Sequence, residues 1–355
     1  MARYSSIDAL RGLTVAAMLL VNNAGDWDHV YPWLEHSEWN GCSPADFIFP
    51  FFLLIVGVSL SLALSAKLAT PTSRSELSRA VVLRGARIIL LGLVLHLIAH
   101  ALIDGRGFRL MGVLQRIGCC FALVGLCHIF VRSARVQWGI IAALLLGYWA
   151  LLCGLPGSQL LPQVNLADKI ETLLLGARAY QFDPATGLAH DPEGILSTLP
   201  SLATVLLGVR AGEWLRNGQW RHLLIGGISA LVLGGLWSCV FPLNKQLWTS
   251  SFVLWTAGAG MLAISLAHYL VDLKNWPPVG KSFGINAIAA YAGSWIGICL
   301  LYGTGAFAPI YRLVVESSGG HSSDEFTSLL FSLAFTGVFA LLMKVMALRG
   351  WRIVI

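Results

Sequence analysis

Apolar runs long enough to cross a bilayer recur from one end of this chain to the other. A spanning helix needs about 20 mostly apolar residues. Ten such segments are read at 7–24, 45–66, 85–103, 112–131, 137–154, 195–215, 222–241, 250–271, 284–302 and 326–347. In lipid the backbone has to satisfy its own polar groups, and runs this long do so as helices. Only 12% of the 355 residues are charged and 56% are hydrophobic, whereas soluble domains carry roughly 25% charged residues. No polar stretch is long enough to hold a second core. The expectation is one all-α domain over residues 1–355: a polytopic membrane helical bundle of about ten transmembrane helices, set in a lipid bilayer.

The net charge of +6 resembles a nucleic-acid signal only until the charges are mapped. With a cytoplasmic N-terminus, alternate loops place seventeen of the 24 basic residues on the inner side and fourteen of the 18 acidic residues on the outer. The Lys/Arg bias is the positive-inside signal; it predicts N- and C-termini in the cytoplasm and argues against a nucleic-acid partner. The N-terminus leads into its first apolar segment without a small-residue cleavage site, which reads as an uncleaved helix. Six of the seven cysteines lie in or beside apolar segments, and Cys42 has no marked partner. Neither a disulfide framework nor a metal site is expected.

Against this background the stretch 22–50 stands out. It joins the first two apolar segments, holds Asn22, His36, Glu38, Asn40 and Asp46 among Trp27, Trp33 and Trp39, and contains no Lys or Arg. On the predicted topology it faces outward, and segments 155–194 and 303–325, the latter polar around Ser317, Ser318, Gly319, Gly320 and His321, form a cap above it. His36 is the candidate for acid–base work, because imidazole changes charge nearest neutral pH. Asn22, at the end of the first segment, either satisfies frayed backbone groups or holds a carbonyl oxygen. Asp46 follows Ser43-Pro44-Ala45, a helix start in which the carboxylate reaches back to the cap; it is also placed to orient His36 or to receive a substrate cation.

Other polar residues punctuate the apolar segments. Asp8 and Arg11 are spaced to neutralise each other, which leaves Arg11 either an anchor or an anion ligand. Arg116 opens the fourth segment, and an arginine there is expected to face the bundle interior. His96 and His100 share a helix face but lack a carboxylate or thiol beside them, so packing is the reading preferred to metal binding. Asp191-Pro192-Glu193 reads as another helix start, Lys245 lies in a short outer turn, and Asn286 calls for an interhelical partner. Nucleophile elbows, phosphate-cradling glycine loops and His-Glu-x-x-His are missing from the sequence, which argues against a hydrolase, an ATPase or a metalloprotease.

These pieces resemble heparan-alpha-glucosaminide N-acetyltransferase and its bacterial relatives, within the wider transmembrane acyltransferases. The matching runs are Ile7 to Leu13, Val21-Asn22, His36-Ser37-Glu38-Trp39-Asn40-Gly41, Ala45 to Pro50, Gly112 to Ile117, His190 to Gly194, Asn244 to Trp248 and Gly284-Ile285-Asn286, in family order. The resemblance implies a transferase in a bacterial inner membrane that takes acetyl from cytoplasmic acetyl-CoA, without a metal, to an amino-sugar acceptor on the outer side. The lysosomal enzyme carries a luminal domain before these helices; this sequence starts at the first helix, so a smaller, glucosamine-type acceptor is expected. A homodimer is implied by the same likeness.

By this resemblance the catalytic histidine falls on His36 and its partner asparagine on Asn22. Direct transfer is expected, with His36 as general base, Asn22 donating to the oxyanion and Asp46 orienting His36 or holding the acceptor; an acetyl-histidine intermediate is the rival. Arg11, Arg84, Arg87 and Lys281, basic and near inner helix ends, are the expected ligands of the donor's phosphates. Trp39, Asn40, Arg116, Lys245 and Asn286 are the expected acceptor contacts. The alternative from another class is a sugar or muropeptide transporter, or a subunit of one; the lack of repeat symmetry favours the enzyme.

Overall fold

The computed structural model describes residues 4–70, 72–155, 157, 159–317 and 323–353; Ser318, Gly319, Gly320 and His321 of the expected cap lie outside them. The chain runs through α1 (Ser5–Asn22), a 3-10 turn (Pro44–Phe47) continuous with α2 (Ile48–Leu68), α3 (Arg74–Leu102), α4 (Val113–Phe130) and α5 (Ala134–Cys153). A short α6 (Leu166–Leu174) and a hairpin of β1 (Gln181–Phe182) and β2 (Ala189–His190) follow. Then come α7 (Thr198–Arg216), α8 (Trp220–Trp237), α9 (Ser250–Ala267) with a terminal π turn (His268–Leu273), α10 (Lys281–Ile285), α11 (Ala287–Gly303), α12 (Phe307–Ser317) and α13 (Asp324–Leu348). The all-α class expected from the apolar runs is the class observed.

Among the described residues seven helices are long and apolar enough to cross a membrane, or eight if α11 and α12, bent by 96°, form one broken span. The protein is thus a multi-pass membrane protein, but the ten spans read from the sequence exceed what length and composition support. Each expected segment does hold a helix. The shortfall falls on the broken α11–α12 pair and on two interior helices: α1 carries Asp8 and Arg11, and α7 carries Arg210, Glu213 and Arg216 while burying most of its length. Ionised side chains inside a bilayer need partners. Arg11 donates to Asp8 (3.2 Å), to Ser59 Oγ on α2 (2.7 Å) and to the Gly284 carbonyl (3.1 Å); Arg210 pairs with Glu213 and reaches Gln137 Oε1 at 3.3 Å.

Packing follows from small residues where backbones meet. A Cβ at Gly57 of α2 would sit 2.0 Å from the Val205 carbonyl of α7, and one at Gly208 would sit 2.1 Å from the Leu54 carbonyl. Any larger side chain would force α2 and α7 apart, as expected where helices associate by close contact. The same holds for α1 and α10, where a Cβ at Gly12 would lie 1.8 Å from the Gly280 carbonyl and one at Gly284 1.7 Å from the Asp8 carbonyl. The main core gathers around these seams, with Leu53, Leu54, Val58, Val205, Val209 and Phe252 all but inaccessible.

Candidate active site

Asp46 is the fixed point of the site. Its place three residues after Ser43 closes the expected capping box at the entry to α2, and the box does more than start a helix. Oδ2 accepts from the Ser43 and Ser37 amides (2.9 and 3.2 Å), while Oδ1 accepts from His36 Nδ1 at 2.8 Å. The carboxylate is completely buried and His36 is 38% exposed. A carboxylate can only accept, so Nδ1 carries the ring proton and Nε2 is left with a free lone pair. That is the arrangement of an oriented general base. The loop that carries His36 is tied down by Ser43 Oγ donating to the Glu35 carbonyl (2.5 Å) and by the Gly41 amide donating to the Leu243 carbonyl (2.8 Å).

Lys245 arrives from the turn between α8 and α9, 3.5 Å from Asp46 Oδ1. Trp248, buried three residues later, anchors that turn: its Nε1 donates to Thr204 Oγ1 at 3.2 Å, and Asn244 Oδ1 accepts from the Leu247 amide at 2.7 Å. Burial pushes the Lys245 ammonium pKa below its usual value despite Asp46 and Glu193 nearby. Glu193 comes from the loop before α7. Arg109 holds it from the α3–α4 loop and grips Asp191 with Nε and Nη2 (3.0 and 2.5 Å). Burial opposes the Arg109 charge, but Glu193 and Asp191 outweigh it and hold its pKa well above the usual range. The Cys42 thiol is pushed up to about 12, by burial first and by Asp46 second, which disfavours its thiolate.

Two cavities meet behind these groups. One, about 120 Å³, is lined by Asn22, His36, Glu193, Lys245 and Tyr291 with apolar residues of α1, α2, α4 and α11. The other, about 400 Å³, is lined by Arg11, Lys67 and Arg84 on otherwise largely apolar walls. Phe52, Leu114, Ile117, Ala287 and Ile288 belong to both. Asn22 and Arg11, eleven residues apart on α1, mark the two ends, a rise of about 16 Å. Along the second helix, Ala45 lines the first cavity and Lys67 the second, a rise of about 33 Å, close to the thickness of a hydrocarbon core. The two cavities therefore lie on either side of a shared wall beside α1 and α2, one polar and histidine-bearing and the other cationic.

The expected site residues divide accordingly. His36, Asn22 and Lys245 line the small cavity, and Asp46 lies directly behind it. Arg11 and Arg84 line the large one. Arg87 is exposed outside it, and Lys281 is spent on Ser5 Oγ at 3.1 Å. Trp39 donates to the Leu160 carbonyl (2.7 Å), and Asn40 accepts from Asn244 (3.2 Å). Arg116 is fully buried against Trp248 and Ser197. These three support the wall and do not line the cavity. Asn286 is not brought to His36: it sits at the α10–α11 break, donating to the Trp351 carbonyl (3.2 Å) and accepting from the Ile353 amide (3.3 Å).

Other expectations are corrected or extended. Asp191 does not start a helix; α7 begins at Thr198, because the Asp191 carboxylate is taken by Arg109 and by the Tyr180 and Glu193 amides. His96 and His100 donate to the Arg109 and Arg106 carbonyls (2.7 and 2.6 Å) and so hold the α3–α4 loop. Glu193, Tyr291 and Lys67 were not singled out as site residues. Lys67 was findable: it continues the stripe Val56, Ser59, Leu60, Ala63, Leu64 along one face of α2.

The family model of heparan-alpha-glucosaminide N-acetyltransferases, catalytic, matches residues 3–239, a span that includes Asn22, His36, Asp46, Arg84 and Glu193. The heparan-alpha-glucosaminide N-acetyltransferases of Mus musculus and Homo sapiens are similar at 28% and 27% identity, each over 82% of this chain. Those alignments cover 53% and 52% of the relatives, so the chain spans about half the length of the curated relatives it matches.

Proposed function

Because this chain belongs to the heparan-alpha-glucosaminide N-acetyltransferase family, we propose that it carries acetyl groups across a membrane, from acetyl-CoA at the Arg84 cavity to a glucosamine-type amine at the His36 cavity. The observation that supports this most is the shared wall: five residues, Phe52, Leu114, Ile117, Ala287 and Ile288, line both cavities. A phosphate-rich nucleotide suits the end bearing Arg11, Lys67 and Arg84. A slender thioester arm suits the apolar stretch between. In this reading the Arg84 end faces the cytoplasm of a bacterial inner membrane, as the Lys/Arg bias of the loops favours, and the His36 end faces outward.

Transfer then follows from the site's own groups. The neutral amine attacks the thioester carbonyl, and His36 Nε2 takes the N–H proton as the C–N bond forms. Asp46, fixed by the Ser37 and Ser43 amides, stabilises the resulting imidazolium. Asn22 donates to the oxyanion. When the C–S bond breaks, the departing thiolate takes the proton back from His36, giving the N-acetyl sugar and CoA. Lys245 balances the Asp46 charge when His36 is neutral. Membership of an acyltransferase family does not favour the transporter alternative.

The test is release of free thiol from acetyl-CoA by purified protein with glucosamine. The expected result is acceptor-dependent release that falls by about 10²–10⁴ in His36→Ala. Release that is indifferent to glucosamine, or undiminished in that variant, would overturn the reading.

A further inference from the structure

Resting on that reading, we propose that Glu193 is the counter-charge for the acceptor: it binds the protonated primary amine of an amino sugar and selects it over neutral hydroxyl compounds. Asp46, the carboxylate expected from the sequence to receive a substrate cation, is not free to do so. It is completely buried, and its oxygens are occupied by His36, Lys245 and the Ser37 and Ser43 amides. Among the described residues lining the His36 cavity, Glu193 is the one carboxylate.

Its setting is that of a held ligand. Arg109 binds Oε2, and Asp191 in turn binds Arg109 through two nitrogens, so the guanidinium is already neutralised without Glu193. The Glu193 amide also donates to Asp191 Oδ1 at 3.0 Å, which fixes the backbone beneath the side chain. Oε1 takes no hydrogen bond among the described residues. The cation that shares the cavity, Lys245, is paired with Asp46. Glu193 therefore presents a rigid acceptor, bearing negative charge, to the space beside His36. A hydroxyl can also hydrogen-bond to this carboxylate, but only an ammonium adds the Coulomb attraction of opposite charges.

Binding the cation leaves the chemistry balanced. The ammonium gives one proton to solvent by way of His36, which is partly exposed. The neutral amine then attacks, and its second proton passes through His36 to the thiolate. Overall, protonated amine and acetyl-CoA give amide, CoA thiol and one released proton.

The experiment compares wild type with Glu193→Gln at a pH that keeps glucosamine protonated, with glucose as a neutral competitor. The expected result is a rise of about tenfold or more in KM for glucosamine, little change in KM for acetyl-CoA, and loss of the preference for glucosamine over glucose. Glu193→Asp should retain part of that preference. An unchanged KM for glucosamine in Glu193→Gln overturns the proposal while leaving the acetyltransferase intact. Equal competition by glucose in the wild type overturns it without any variant. No acceptor-dependent thiol release from the wild type removes the acetyltransferase reading itself, and this proposal with it.

Discussion

The two cavities share five wall residues but treat charge in opposite ways. Around His36, ionisable groups are fixed in place by separate loops: His36 and Lys245 on Asp46, and Glu193 together with Asp191 on Arg109. Around Arg84, charge is left over. Arg84 lies over the Phe121 ring at 5.1 Å, and neither it nor Lys67 has a carboxylate within ion-pair distance among the described residues. Pairing fixes geometry, which acid–base chemistry needs to within fractions of an ångström. Unpaired cations on apolar walls suit the capture of a mobile, multiply charged anion. On the proposed function, the small cavity is organised to react and the large one to hold.

That contrast breaks first at Asn22. Asn22→Ala should lower kcat by about 10²–10³, the usual worth of one oxyanion donor, with KM for acetyl-CoA unchanged; steady-state kinetics in detergent would show it. A comparable rise in donor KM would mean that the two ends are not separate in function. The converse change, Lys67→Gln with Arg84→Gln, should raise KM for acetyl-CoA about tenfold, weaken the salt dependence of donor binding, and leave KM for glucosamine alone.

The smallest effect concerns Glu171 of α6, beneath the loop that presents Glu193. Burial pushes its carboxyl pKa up to about 7, although the Ile195 and Leu196 amides donate to it. A carboxyl raised above its unfolded value of about 4.3 stabilises least once ionised: its contribution is complete below that value and is lost as pH rises through about 7. Glu171→Gln should therefore melt higher than wild type at pH 8, with the difference shrinking toward pH 5. A constant difference across that range would place the cost elsewhere.

Local chemistry was the legible part of this molecule. The helices follow from apolar runs, and the Asp46 cap from a three-residue spacing. The hydrogen bond from His36 depends on how a ten-residue loop returns, which no periodicity encodes. Glu193 was harder still, since it reaches the cavity from a loop distant in sequence; Lys245, from another such loop, was among the expected contacts. Asp191 shows why: its sequence has the form of a helix cap, but a half-buried Arg109 competes for the same carboxylate and wins. Arg84 and Arg87 looked equivalent as donor ligands. The lining stripe of α3, Leu77, Ala80, Val81, Arg84 and Ile88, puts Arg84 at the cavity and leaves Arg87 off the face.

The central claim is that the two cavities are one route from side to side. Sealed vesicles with the protein in a single orientation, acetyl-CoA only on the Arg84 side and glucosamine only on the His36 side, test it directly. The account predicts N-acetylglucosamine on the His36 side and free CoA thiol retained on the Arg84 side. Product formed only when donor and acceptor share a compartment would contradict it.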